Sequence, residues 1–141
     1  LTLYLDTSVL VCALTGETET VRIQSWLSEQ TAGEMAVSDW TIAEFSSALS
    51  IKLRTGALSL EERATAMAAL TRLLDESLDL WPIERRQFRA AAQIADQHLL
   101  AMRAGDALHI AVCAERGATL CTLDRRLSEA CLSLGVISLL L

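Results

Sequence analysis

Five short apolar runs recur along the chain, at Leu1–Leu5, Met35–Val37, Leu80–Ile83, Ala118–Thr122 and Val136–Leu139, and stretches with helical spacing separate them. This alternation constrains the fold more than any other feature, because strands that alternate with helices pair in parallel through right-handed crossovers. Helices are expected at Thr7–Leu14, Glu17–Gln30, Asp39–Thr55, Ser59–Leu78, Glu84–Leu100, Asp106–Glu115 and Asp124–Leu134. Ile42, Phe45, Leu49 and Leu53 mark the buried stripe of the third helix, and Ser59 with Glu62 forms a capping box at the start of the fourth. Gly16, Gly56, Gly117 and Gly135 act as stops, Gly105 reads as a break, and Pro82 belongs at a strand end or sheet edge. The order β-α-α-β-α-α-β-α-α-β-α-β predicts an α/β fold: a mostly parallel five-stranded sheet with helices on both faces. Strands one and four should flank the point where the strand order reverses.

A chain of 141 residues without repeat, linker or low-complexity tract predicts a single domain over residues 1–141. Although 52% of its residues are hydrophobic, no apolar stretch approaches the ~18 residues of a membrane span. The chain opens on a strand instead of a basic segment followed by an apolar core, so no signal peptide is expected, and the missing initiator Met points to a trimmed or incompletely recorded N-terminus. Cys12, Cys113, Cys121 and Cys131 fall on apolar faces with no C-x-x-C spacing, which predicts buried, reduced thiols and a cytoplasmic protein rather than zinc or disulfides.

Against this background four acids stand out. Asp6 and Asp124 follow strands one and four, Glu44 lies in the early turns of the third helix, and Asp106 opens a later one. Parallel sheets gather such junctions along one edge. Two carboxylates about 4 Å apart repel by roughly 4 kcal/mol at an effective dielectric near 20, so a cluster of four must take up protons or hold a cation. Hard oxygen donors without matching Cys or His select Mg²⁺ or Mn²⁺ over zinc. Each acid has a plainer reading as a helix cap: Asp6 and Asp124 are N-cap candidates, and Thr41-Ile42-Ala43-Glu44 has capping-box spacing.

Thr7, Ser8, Ser38 and Thr122 supply hydroxyls near these junctions, suited to support a metal site or to cap helices. His109 shares a helix with Asp106 but is read as a satisfied core residue rather than a general base, and Trp26, Trp40 and Trp81 as core or interface anchors. The net charge of -6 argues against a nucleic-acid partner until cations are counted; two divalent ions would bring it to -2. All but one of the 12 basic residues are Arg, which can grip phosphate bidentately; Arg85, Arg86, Arg89, Arg125 and Arg126 are the candidates for contact with a phosphate backbone, or else solvated helix-face charges.

The stretches Leu3-Tyr4-Leu5-Asp6-Thr7-Ser8-Val9-Leu10, Ser38-Asp39-Trp40-Thr41-Ile42-Ala43-Glu44-Phe45, Ala104-Gly105-Asp106-Ala107-Leu108-His109-Ile110-Ala111 and Thr122-Leu123-Asp124-Arg125-Arg126-Leu127 resemble the four signature blocks of the PIN domain. They are most similar to bacterial toxin ribonucleases of the VapC type, and they occur in family order from residue 3 to residue 127. The resemblance implies a three-layer α/β/α sandwich, RNA cleavage dependent on Mg²⁺ or Mn²⁺, and an antitoxin encoded alongside. It implies further that Asp6, Glu44, Asp106 and Asp124 hold one or two metal ions, with Ser8 and Thr122 in support.

The chemistry that suits such acids is metal-assisted phosphodiester hydrolysis without a protein nucleophile. A haloacid-dehalogenase-like phosphatase would need a second Asp two residues after Asp6, where this chain has Ser8. A degenerate PIN scaffold that only binds a protein is the non-enzymatic alternative. The antitoxin is expected to place a basic side chain, Arg for preference, into the acidic pocket. The apolar surplus leaves a surface for a partner helix or for a second copy in a homodimer.

Overall fold

Successive side chains on a strand point to opposite faces of the sheet, and the central strands of this protein divide their side chains in that way. The computed structural model describes residues 1–141. On β1 (Leu3–Leu5) Leu5 enters one buried cluster and Tyr4 another, and on β4 (Thr119–Thr122) Cys121 and Leu120 split in the same manner. Helices must therefore cover both faces. The first is covered by α1 (Thr7–Leu14), α2 (Thr20–Ser28), α3 (Asp39–Arg54) and α4 (Leu60–Glu76), which contribute Val9, Ile23, Phe45 and Leu70 to a cluster of 15 buried residues. The second is covered by α6 (Ala104–Arg116) and α7 (Arg125–Leu134) through Ile110, Val112, Leu127 and Cys131, with α5 (Arg85–Asp96) packed on α6 through Ala91, Ala107 and Ala111. The result is a three-layer α/β/α sandwich.

The sheet is completed by β2 (Met35–Ser38), β3 (Leu78–Trp81) and β5 (Ser138–Leu140), in the order β3-β2-β1-β4-β5. Every pair is parallel, so the sheet is wholly rather than mostly so. Tyr4 faces Ala36 on one side and Leu120 on the other, and Asp6 N–H extends the ladder by donating to the Cys121 carbonyl at 3.1 Å. The order reverses between β1 and β4, where a crevice opens beyond the strand ends in such sheets. All four Cys are buried and free, and no helix is long and apolar enough to cross a membrane.

Local differences from the sequence expectation have physical causes. Leu78 ends no helix; it pairs with Met35 and opens β3, which stops at Trp81 so that Pro82, lacking an N–H, falls outside the ladder. The stretch after α5 turns into a short 3-10 helix at His98–Leu100, ended by Ala101 in the left-handed region at φ 52°. The box at the start of α3 is formed by Ser38 and Thr41, not by Thr41 and Glu44, because the helix begins at Asp39 and Thr41 is its third residue. Gly105 does not break a helix but lies inside the first turn of α6.

Phe45, one position after Glu44, and Leu49, both fully buried, hold α3 against the sheet. Phe45→Ala should destabilise the fold by about 3–5 kcal/mol in urea unfolding. A loss under about 1 kcal/mol would mean that α3 is anchored elsewhere.

Candidate functional site

Hydrogen bonds tie the C-terminal ends of β1 and β4 together. Asp6, only 4% exposed, caps α1: its Oδ1 accepts from Val9 N–H at 3.3 Å and from Ser8 Oγ at 2.5 Å. Its Oδ2 accepts from Thr122 Oγ1 at 2.5 Å, and that hydroxyl in turn accepts from Asp124 N–H at 2.9 Å. Ser8 Oγ also accepts from Leu123 N–H at 3.0 Å. Asp124, exposed, caps α7 through Oδ1, which takes Arg126 N–H at 2.9 Å and Leu127 N–H at 3.4 Å.

From α3, Glu44 reaches toward this edge with a side chain 29% exposed. Its Oε1 accepts from Thr7 Oγ1 at 2.7 Å and from His109 Nε2 at 2.5 Å. Its other oxygen lies over Gly105, where a Cβ would sit 3.1 Å from Oε2 and 3.2 Å from Trp40 Cζ2. Glycine lets α6 approach this closely without displacing the Glu44 carboxylate or the Trp40 ring. Asp106, half-buried in the first turn of α6, has no side-chain hydrogen bond within the protein.

The electrostatics follow from this layout. Burial pushes the Asp6 carboxyl above its ordinary range, against the lowering effect of Ser8, Thr122 and His109. Burial also raises Asp106; His109 lowers it, while Asp124, Glu44 and Asp6 each raise it further by like-charge repulsion. For Glu44, burial is opposed and outweighed by the hydrogen bond and Coulomb attraction of His109 and the hydrogen bond from Thr7, and the carboxyl falls below its usual range. The other three acids thus act on Asp106, although no three of the four are gathered closely enough to hold a metal ion as they stand. The donor set is all oxygen and carries an excess of negative charge, which fits a hard divalent cation.

Of the expected supporting residues, Thr7, Ser8 and Thr122 touch the acids directly. Ser38 does not; it caps α3 and bonds to Tyr4 Oη at 2.7 Å, one step behind the site. Arg86 is engaged by Glu84 and Glu115, whereas Arg85, Arg89, Arg125 and Arg126 are exposed and free of ion pairs. Sequence reasoning missed two residues. His109 is buried and satisfied, as expected of a core residue, but one of its partners is Glu44. Its position three residues after Asp106 was the available signal, since such residues share a helix face. Tyr4, two residues before Asp6 and so on the same side of the strand, holds the other ring nitrogen.

Without divalent cations, the folded state should bind more protons than the unfolded chain at Asp6 and Asp106 in the interval above the ordinary Asp range. Stability therefore rises as pH falls from about 7 toward about 5. The Glu44 contribution has the opposite sign: it is present above the ordinary Glu value and lost as pH falls through the lowered folded one. Asp106→Asn removes a repelling charge and no hydrogen bond. Because Asp106 is half-exposed, solvent screening holds the gain to about 1 kcal/mol, or about 2–4 °C at this chain length. Thermal melts in chelator at both pH values check this; a melting temperature that drops at pH 7 would refute the repulsion.

A comparison with curated protein sequences yields no match. Solved structures are similar in fold. The Mycobacterium tuberculosis toxin VapC20, described as cleaving the sarcin-ricin loop, superposes with a TM-score of 0.74 at 16% identity, over 92% of this chain and 95% of that one. VapBC2 from Rickettsia felis, bound to a DNA fragment from its promoter, gives 0.69 at 14% identity over 100% and 99%. A toxin-antitoxin complex from Klebsiella pneumoniae gives 0.56 at 18% identity over 88% and 87%. The family profile described as PIN domain matches residues 3–132, nearly the whole length, and with that match the chain belongs to the PIN domain family.

Proposed function

We propose that this PIN protein is a divalent-cation-dependent ribonuclease of the VapC type and the toxin of a type II toxin-antitoxin pair. The observation that carries the reading is Asp106: a carboxylate with no hydrogen-bond donor, raised by burial and by three neighbouring acids from three other segments. Such an arrangement lowers fold stability unless something positive occupies it. Asp6, Glu44, Asp106 and Asp124 would hold Mg²⁺ or Mn²⁺, as one ion or two. The chemistry such a cation supplies when bound is charge neutralisation at the phosphate and acidification of a water molecule.

The remaining work falls to the chain. Ser8 and Thr122 fix the Asp6 carboxylate, and Thr7 fixes Glu44, so these acids need not reorganise when an RNA backbone arrives. Arg125 and Arg126, exposed and directly after Asp124, suit the next phosphates, and exposed Arg85 and Arg89 on α5 are further candidates. A haloacid-dehalogenase-like phosphatase would need a second Asp two residues after Asp6 as its acid and base, and Ser8, which stands there, donates to Asp6 and accepts from Leu123 N–H, which counts against that alternative.

The likeness to a toxin that cleaves the sarcin-ricin loop supports RNA as substrate, and the likeness to a toxin-antitoxin complex supports a small protein partner. A guanidinium from that partner would satisfy two carboxylates at once and supply the charge a cation otherwise brings. Exposed Phe88 and Leu132 offer apolar surface for a second copy in a homodimer. Reduced thiols suit a cytoplasmic setting.

Asp6→Asn or Asp106→Asn should abolish Mn²⁺-dependent RNA cleavage while the protein remains folded by circular dichroism. Cleavage that persists would refute the ligand assignment, and a wild-type protein that binds neither Mn²⁺ nor RNA would favour the non-catalytic scaffold. Charge reversal at Arg125 should weaken RNA binding and reduce its salt slope by about 1. An unchanged slope would mean that Arg125 does not meet phosphate. Calorimetric titration of Mn²⁺ with and without saturating antitoxin should show competition; unaltered affinity would place inhibition outside the acidic pocket.

A further inference from the structure

A chain of buried polar groups runs from the sheet to Glu44, and no step of the proposed hydrolysis uses it. Ser38 Oγ lies 2.7 Å from Tyr4 Oη, Tyr4 Oη lies 2.7 Å from His109 Nδ1, and His109 Nε2 lies 2.5 Å from Glu44 Oε1. Ser38 and Tyr4 are fully buried and His109 is 2% exposed, so the chain passes through the interior rather than along the surface. It links β2, β1, α6 and α3, four segments that meet only because the sheet is parallel.

The direction of the hydrogen bonds can be worked out. A carboxylate only accepts, so Nε2 carries the hydrogen toward Glu44; in the imidazolium Nδ1 donates to Tyr4 Oη as well, and in the neutral ring Nδ1 is left to accept. Tyr4 Oη supplies the donor that Nδ1 requires, and its own lone pairs accept from Ser38 or from Thr41, 3.2 Å away. With both nitrogens engaged and the Tyr4 and His109 rings tilted by 56° at 5.6 Å between centroids, the imidazole has one orientation that satisfies every group. Turning it would leave a buried nitrogen without a partner, which is costly in the interior.

We infer that His109, oriented by Tyr4, is a positioning residue that holds the Glu44 carboxylate in the geometry needed to bind a divalent cation. Of the four acids Glu44 has the longest side chain, and unlike Asp6 and Asp124 it caps no helix. Its Oε1 is held by His109 and Thr7, while Oε2, which lies over Gly105, has no hydrogen-bond partner, so one oxygen is tied and the other keeps its lone pairs for a cation. Ligating carboxylates are commonly held in this way by a second layer of hydrogen bonds, whose loss costs roughly 10- to 100-fold in metal affinity or activity. The inference rests on the reading of Glu44 as a ligand.

The test measures Mn²⁺ affinity by calorimetry and RNA cleavage for the wild type, His109→Leu, His109→Gln and Tyr4→Phe, each checked for folding. His109→Leu is expected to weaken Mn²⁺ binding about 10-fold and to lower kcat with KM nearly unchanged. His109→Gln, whose amide nitrogen can stand near the place of Nε2, is expected to recover most of both losses, which a purely structural role would not require. In a Glu44→Gln background His109→Leu should add less than about 2-fold, because it acts through the group already altered. Folded His109→Leu protein with wild-type Mn²⁺ affinity, or a full additional loss in the Glu44→Gln background, would overturn the inference. If His109→Leu does not fold, Tyr4→Phe decides the question, since it removes only a hydroxyl: a weaker loss of the same sign supports the arrangement and wild-type affinity overturns it. A wild-type protein that neither binds Mn²⁺ nor cuts RNA would instead overturn the ribonuclease reading itself.

Discussion

Like charge held at one edge of a parallel sheet is the constraint around which the rest of this structure is arranged. A parallel sheet delivers the ends of all its strands to the same side, so Asp6 and Asp124 become neighbours although the chain between them is long. Their repulsion is not relieved by basic side chains: no Lys or Arg makes an ion pair with Asp6, Asp106 or Asp124. It is relieved by neutral donors. Ser8, Thr122 and Thr7, with the backbone N–H groups of Val9, Arg126 and Leu127, spread the negative charge without cancelling it. The exception is His109, which draws Glu44 below its usual range while Asp6 and Asp106 are driven above theirs. Acids in one site are thereby pulled apart in proton affinity by their surroundings, a pattern that marks functional sites more often than structural ones.

Capping and metal binding were rival readings of Asp6 and Asp124 in the sequence, and the geometry makes them compatible. An N-cap needs one acceptor oxygen pointed back at the first turn. Asp124 uses Oδ1 for this and leaves Oδ2 without a protein donor. Asp6 caps with Oδ1, which also takes Ser8 Oγ, and turns Oδ2 to Thr122, so that Oδ2 retains lone-pair capacity. The cap fixes the rotamer, and a fixed rotamer is what an oxygen ligand needs. The two helices that start at these acids also aim the positive ends of their dipoles at the edge, which favours negative charge there and offsets part of the repulsion.

The strand ends were legible because each coincides with a change of period: apolar runs of three or four residues give way to helical spacing at Asp6 and Asp124, and both acids could be placed at the edge from sequence alone. The fold order was legible for the same reason. What sequence could not place was anything set by the approach of two helices. Glu44 has capping-box spacing to Thr41, and only the start of α3 at Asp39 frees it to reach the site. Gly105 looks like a break in isolation, and its purpose appears only once Trp40 and Glu44 are seen packed against it. His109 was assigned to the core on burial grounds; burial was right, yet the identity of its partners depends on how α6 lies across β1 and α3. The boundary between α4 and β3 slipped because Leu78 satisfies either a helix stripe or a strand, and pairing with Met35 decides it.

The buried polar chain from Ser38 to His109 passes through Tyr4, a member of the apolar cluster under α6 and α7. Replacing it with hydrocarbon of the same shape would cost nothing in desolvation, so polar groups here are not explained by stability. They are explained by uniqueness of arrangement. An apolar side chain at position 109 could settle in several rotamers of similar energy, whereas a ring whose two nitrogens both have fixed partners has one. Rigidity of this kind passes outward: β1 fixes Tyr4, Tyr4 fixes the imidazole, and the imidazole fixes an acid at the rim, where α3 alone would leave a long, partly exposed side chain free to move. Asp6 needs no such device, because a short side chain at a strand end is already held by the ladder and by its cap. The difference in side-chain length between Asp6 and Glu44 is therefore matched by a difference in how far into the core each acid's support extends.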